Sequence, residues 1–143
     1  MELRTEIEIH ASPEVVWNLL TDTNRFPEWN PFIRRLSGEL TVGNRLAVFL
    51  QPSGSRGMEF KPRVLKVEPN RELRWLGNLW FPGLFDGEHS FQIEPLAAKS
   101  VLFHQQETFT GILIPLLMRT LETDTRRGFN EMNQKLKELA ERQ

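Results

Sequence analysis

The sequence contains no cysteine, which excludes disulfides, thiolate metal ligands and thiol nucleophiles. Its three histidines, His10, His89 and His104, are not at metal-ligand spacing, so no metal site is expected. No glycine-rich loop opens a helix. Gly54-Ser55-Arg56-Gly57 reads as a hairpin loop and not as a nucleotide cradle, so no cofactor is expected. A Gly-x-Ser-x-Gly elbow is also missing, which leaves a hydrolase triad without a nucleophile. Charge of one sign is lacking too. With 18 basic and 19 acidic side chains the net charge is -1, and nucleic acid is not an expected partner, because phosphate binding needs a basic excess or stripe. The longest apolar run, near Ile112 to Met118, falls far short of the ~20 residues that span a bilayer. Met1 to Glu6 alternates charged residues, unlike a signal peptide, and the expected location is the cytoplasm. Tyrosine is absent beside ten Phe and four Trp. Aromatic rings without hydroxyls suit a large dry interior, although chance composition gives the same result in a short chain.

What remains fits one soluble domain over residues 1–143. A chain of this length buries roughly 70 % of its unfolded surface and forms a core without staples. Leu3, Thr5, Ile7 and Ile9 alternate with Glu2, Arg4, Glu6 and Glu8, the pattern of a strand with one wet face. Ala11-Ser12-Pro13-Glu14 then starts a helix, with Ser12 as its N-cap and Pro13 at the first helical position. Two prolines, Pro27 and Pro31, allow at most another helical turn after it. Turn residues then divide the chain into strands over 33–40, 45–51, 58–68, 72–79, 85–94 and 101–109, an antiparallel meander. Ile114, Leu117, Leu121, Thr125, Gly128, Met132, Leu136 and Leu139 recur at helical spacing. They predict a helix from Pro115 to Glu141, roughly 40 Å long. The expected architecture is α+β: a curved antiparallel sheet of about six or seven strands around the long C-terminal helix, with two short helices after the first strand.

Three features bear on the interior. Gly128 interrupts the apolar helical stripe; either a ring packs against it or it leaves room for a ligand. Leu79-Trp80-Phe81-Pro82-Gly83-Leu84-Phe85 is an apolar loop. It reads as a pocket mouth, as a rim in transient contact with a membrane or partner, or as a loop folded onto its own core. Finally, if Phe91, Ile93, Phe103 and Phe109 face inward, so do His89, Gln105 and Glu107. A hairpin around Leu96–Ala98 would set His89 near Gln105, with Glu107 slightly further on. These polar groups are either the contact set of an apolar small-molecule pocket or a mutually satisfied cluster.

The element order and several strings resemble the SRPBCC (START-like, helix-grip) superfamily, in particular its polyketide cyclase/dehydrase-like branch. The matching strings are Ala11-Ser12-Pro13-Glu14-Val15-Val16-Trp17, Phe26-Pro27-Glu28-Trp29-Asn30-Pro31-Phe32, Val67-Glu68-Pro69 before Leu73-Arg74-Trp75, and the late strand Phe103–Phe109 running into a helix with Gly128-Phe129. The resemblance covers essentially the whole chain. It implies a helix-grip fold with a cavity between sheet and C-terminal helix, and a small hydrophobic ligand such as a lipid, polyketide or quinone. It supplies no shared catalytic set.

On the face assignments above, Trp29, Phe32, Phe49, Trp75, Phe91 and Phe103 are expected to line that pocket, with Leu117, Leu121, Gly128 and Phe129 from the helix and Trp80 from the loop. His89, Gln105 and Glu107 would be its polar contacts. The expected function is binding of a hydrophobic or aromatic small molecule. The alternatives are a polyketide cyclase or dehydratase in which Glu107 and His89 do acid–base work, and an interaction module docking through 79–85.

Overall fold

Period-two alternation makes β1 (Glu2–Ile9) a half-buried strand, with Leu3, Thr5 and Ile9 inside and the four charged residues outside. The computed structural model describes residues 1–143 except Trp80. The Ser12 hydroxyl accepts the Val15 N–H at 3.2 Å and starts α1 (Pro13–Thr21), which buries Val16, Trp17 and Leu20. A 3-10 turn and a single helical turn, α2 (Phe26–Trp29), come next, where the prolines allow no more. Asn30, fully buried, ends α2. Its Oδ1 accepts the N–H groups of Phe32 and Ile33 at 3.0 and 2.8 Å and so fixes the entry of both residues into the core.

Strands β2 (Ile33–Ser37), β3 (Ala47–Leu50) and β4 (Met58–Phe60) form a three-stranded antiparallel sheet. Strands β5 (Arg63–Glu68), β6 (Glu72–Asn78), β7 (Asp86–Ala97) and β8 (Ser100–Thr110) form a meander, and β1 pairs with β8, giving the order β1-β8-β7-β6-β5. The strand expected over 58–68 is therefore two, and among the described residues the strands number eight, five in one sheet and three in the other. The break falls at Lys61-Pro62. Proline has no N–H for a ladder, and the Pro62 carbonyl instead accepts Leu46 N–H at 2.9 Å, linking the two sheets beside the Arg45–Arg63 bridge.

The C-terminal helix is present over its expected length but is not uniform. It comprises α3 (Ile114–Thr120), one π turn (Leu121–Thr125) and α4 (Arg126–Glu141). The π turn takes up an extra residue and shifts the phase of α4 by about one position. Phe129, Asn133 and Ala140 are thereby buried beside Gly128, Met132 and Leu136, while Leu139, expected on the stripe, is only half-buried. The helix lies along β1: Arg126 donates to the Arg4 carbonyl at 3.0 Å and Lys137 to the Glu8 carbonyl at 2.9 Å. Among the described residues, no helix is long and apolar enough to cross a membrane.

Candidate functional site

The β7–β8 hairpin turns at Ala98-Lys99, later than expected, and this moves the partner of His89 from Gln105 to Glu107. Gln105 stands opposite Phe91, diagonal to His89 on the same inward face. His89 reaches both: Nδ1 is 2.9 Å from Glu107 Oε1 and Nε2 is 3.0 Å from Gln105 Oε1. The chain of contacts continues. Gln105 Nε2 donates to Asn133 Oδ1 at 2.7 Å, Asn133 Nδ2 to Thr5 Oγ1 at 2.9 Å, and the Thr5 hydroxyl to the Gln105 carbonyl at 2.8 Å. His89, Gln105 and Asn133 are at most 2 % exposed. Polar groups this deep are costly unless paired, and this network pairs them. Sequence periodicity placed three of its members on one face. It gave no sign of Asn133 or Thr5 as their partners, because these come from α4 and β1.

Glu107 differs from the others in having one oxygen left over. Its Oε1 faces His89, while Oε2 has no protein partner among the described residues and lies against Gly87. At this end of the sheet the inward rows change character. On β6 the row runs Leu73, Trp75, Gly77; on β7 it runs Phe91, His89, Gly87; and the two glycines are register partners. Large rings give way to bare backbone, and Phe60 and the Glu107 carboxylate move into the space. A cavity of about 80 Å³ remains, walled by Leu50, Phe60, Gly77, Asn78, Gly87, Glu107 and Phe109 from the strands, with Leu79 and Phe85 from the loop and Leu121 and Thr125 from the π turn; the Asn78 amide is already engaged, donating to Asp86 Oδ1 at 2.8 Å. Met58, 40 % exposed, stands at its rim. The missing side chains at 77 and 87 are the sequence signal that would have located it.

Most of the pocket residues expected from sequence do not line this cavity. Trp75, Phe91, Phe103 and Phe129 are buried and pack ring on ring. His89 sits 4.5 Å from Phe91 and 5.0 Å from Phe129 between centroids, and Trp75 sits 5.4 Å from Phe91. Phe32 fills the place opposite Gly128 so closely that a Cβ there would come within 2.3 Å of its ring, so Gly128 serves close packing and leaves no room for a ligand. Trp29 is half-buried, edge-on to Phe26. Phe49 lies on the other face of β3 from Val48, under the Arg35 guanidinium at 4.9 Å. Leu117 is half-buried and outside the wall. Of the expected set, Glu107 and Leu121 line the cavity directly, with His89 and Gln105 behind Glu107. Trp80 falls outside the described residues. Its loop is held on the turn before α3, where Ile112 N–H donates to Gly83 O and Leu113 N–H to Leu84 O, both at 3.1 Å. Leu79 and Phe85 face the cavity, whereas Phe81 is 57 % exposed.

The sequence pattern of the family described as polyketide cyclase/dehydrase and lipid transport matches residues 1–141. The chain belongs to this family. No curated protein matches the sequence significantly. Among solved structures, a protein from Mesorhizobium loti is 24 % identical with a TM-score of 0.76 over 99 % of this chain and 98 % of its own. An aromatase/cyclase from Streptomyces sp. R1128 is 14 % identical with a TM-score of 0.81, over 99 % and 94 %. A START superfamily protein from Mycobacterium smegmatis is 19 % identical with a TM-score of 0.72, over 96 % and 98 %. Identities this low speak to the fold alone, and that fold is START-like, as the sequence strings implied.

Proposed function

We propose that this polyketide cyclase/dehydrase family member binds a small hydrophobic or aromatic ligand in the cavity beneath the 79–85 loop, with Glu107 as its polar contact. The observation that carries the reading is the Glu107 carboxylate, which presents to a mostly apolar wall one oxygen that has no partner among the described residues. Apolar walls with a few aimed polar groups are the usual composition of a small-molecule site. At about 80 Å³ the cavity is below the about 150 Å³ that holds a benzene ring and the about 300–1,000 Å³ of pockets for drug-sized molecules, so a ring enters part-way or as the apolar side chains of the wall yield. A larger ligand extends past Met58 or displaces the loop. The family description and the START-like neighbours support the same reading.

Titration of the protein with single-ring and fused-ring aromatics, quinones, sterols and fatty acids, monitored by amide chemical shifts, tests this. Binding should move Gly77, Gly87 and Thr125 and leave Gly43 on the far turn unmoved. No shift at the cavity with any ligand sinks the proposal.

A second reading rests on a separate observation. Glu107 and His89 form a paired acid–base couple at the cavity wall, the equipment for proton transfer. In that reading the chain is a cyclase or dehydratase acting on an aromatic polyketide, in line with the family description and with the aromatase/cyclase among its structural neighbours. Glu107 exchanges the proton and His89 is its partner. A poly-β-ketone analogue should then turn over, and Glu107→Gln should abolish the rate even at saturating analogue. An unchanged rate removes the enzymatic reading.

A further inference from the structure

The buried network has a direction, and the direction reaches the cavity. Thr5 has one hydroxyl proton, and the Gln105 carbonyl 2.8 Å away can only accept it. Thr5 Oγ1 must therefore accept from Asn133, which turns the Asn133 amide nitrogen to Thr5 and its oxygen to Gln105. Gln105 then points its nitrogen at Asn133 and its oxygen at His89. An acceptor at that position requires a proton on His89 Nε2. Every other orientation of the two amides sets donor against donor or acceptor against acceptor in a dry interior. With Nε2 protonated, the remaining proton lies between His89 Nδ1 and Glu107 Oε1. It belongs either to a glutamic acid donating to a neutral ring or to an imidazolium donating to a carboxylate. In both arrangements Glu107 Oε2 carries no proton.

From this we infer that the cavity selects ligands by hydrogen-bond polarity: it takes a molecule that donates through a hydroxyl, such as a phenol, enol or alcohol, and rejects one of the same shape ending in an ether, ketone or carboxylate. The inference rests on the ligand-binding reading and adds to it the class of headgroup. Oε2 is an acceptor aimed at an apolar wall, so a second acceptor brought against it leaves both unpaired, and a carboxylate adds charge repulsion. Thr5, on β1 and outside the cavity wall, is a positioning residue: through Asn133 and Gln105 it sets the tautomer of the His89 ring behind Glu107 without touching the guest.

The test uses the whole protein and three probes sharing one ring, namely phenol, anisole and benzoate, with affinities from amide shifts. Phenol should bind at least tenfold tighter than either of the others. Thr5→Val removes the anchor and frees the amides to turn, so that His89 can take its other tautomer, with Nδ1–H donating to Glu107 and a bare Nε2 accepting from Gln105. The Nε2–H signal of the ring should then weaken in the variant, and a signal as strong as in the wild type would overturn the control of His89 by Thr5. Long-range proton–nitrogen correlation of the His89 ring in the wild type, with no ligand and no variant, should find Nε2 protonated. A bare Nε2, or anisole binding as tightly as phenol, overturns the polarity inference and leaves ligand binding standing. Cavity shifts with no member of this set or of the wider panel overturn ligand binding itself.

Discussion

Gly87 and Glu107 stand diagonal across the β7–β8 ladder, and a Cβ on Gly87 would come within 2.1 Å of Glu107 Oε2. The glycine is thus what lets a carboxylate lie flat at the cavity wall. In an ordinary strand, alanine would be preferred to glycine by about 0.5–1 kcal/mol. Here Gly87→Ala should push the carboxylate off its seat, weaken phenol binding at least tenfold and lower stability by about 1–3 kcal/mol through overpacking. Urea unfolding and the same titration measure both, and undiminished affinity would remove Glu107 from the site.

Gly128 poses the same question on the helix. Alanine raises helix propensity by about 1 kcal/mol, but Phe32, fully buried, stands in the way of its methyl group. Gly128→Ala should therefore destabilise by about 1–3 kcal/mol, read from the urea midpoint. A more stable variant would mean that the Phe32 ring yields.

Asn133→Leu keeps the volume roughly and removes the middle of the network. It leaves Gln105 Nε2 facing an apolar side chain and deprives Thr5 of its donor. The expected loss is about 1–3 kcal/mol. Combined with Thr5→Val, the two losses should fall short of their sum by about 0.5–3 kcal/mol, as for residues in one network. Strict additivity in the double-mutant cycle would show that the contacts are energetically separate.

Glu141 ties the end of α4 to the turn before α1. Its carboxylate accepts the His10 N–H at 2.9 Å and the Lys137 ammonium at 2.5 Å. The backbone bond from His10, then the bond from Lys137, hold its carboxyl below the usual glutamate range. A depressed folded-state value means that the contribution is complete above the unfolded value, about pH 4–5, and is lost as pH falls through the folded one. Thermal midpoints of the wild type should exceed those of Glu141→Gln near neutrality and converge with them in acid. A gap that is constant across the range would contradict this.

The sequence was most readable where one physical rule acts alone. Period-two alternation placed His89, Gln105 and Glu107 on one inward face, the Ser12-Pro13 pair marked a helix start, and the 3–4 spacing of apolar residues marked the long helix. It was least readable where two rules compete or where partners come from distant strands. Residues 46–50 are apolar on both faces, with only Arg45 and Gln51 at the ends of the run to mark the side of Phe49 as the outer one, so periodicity within the run could not tell that Val48 turns inward and Phe49 turns out. The phase shift of the π turn, which replaces Leu139 by Ala140 on the buried stripe, has no local signature in a pattern read at 3.6 residues per turn.

By itself, the chain's pattern of apolar and polar residues determined the order of most elements and the inward faces of β1, β7 and β8, because those depend on neighbours a few residues away, while its local strings carried the resemblance to the family. Whether the space between sheet and helix is full or hollow was decided only in three dimensions. It turns on how rings from β6, β7, β8 and α4 interlock, and on two glycines, Gly77 and Gly87, that meet across a ladder and leave nothing to fill the gap beside Glu107. Side-chain volume is written in the sequence; which volumes share a layer is set by strand register.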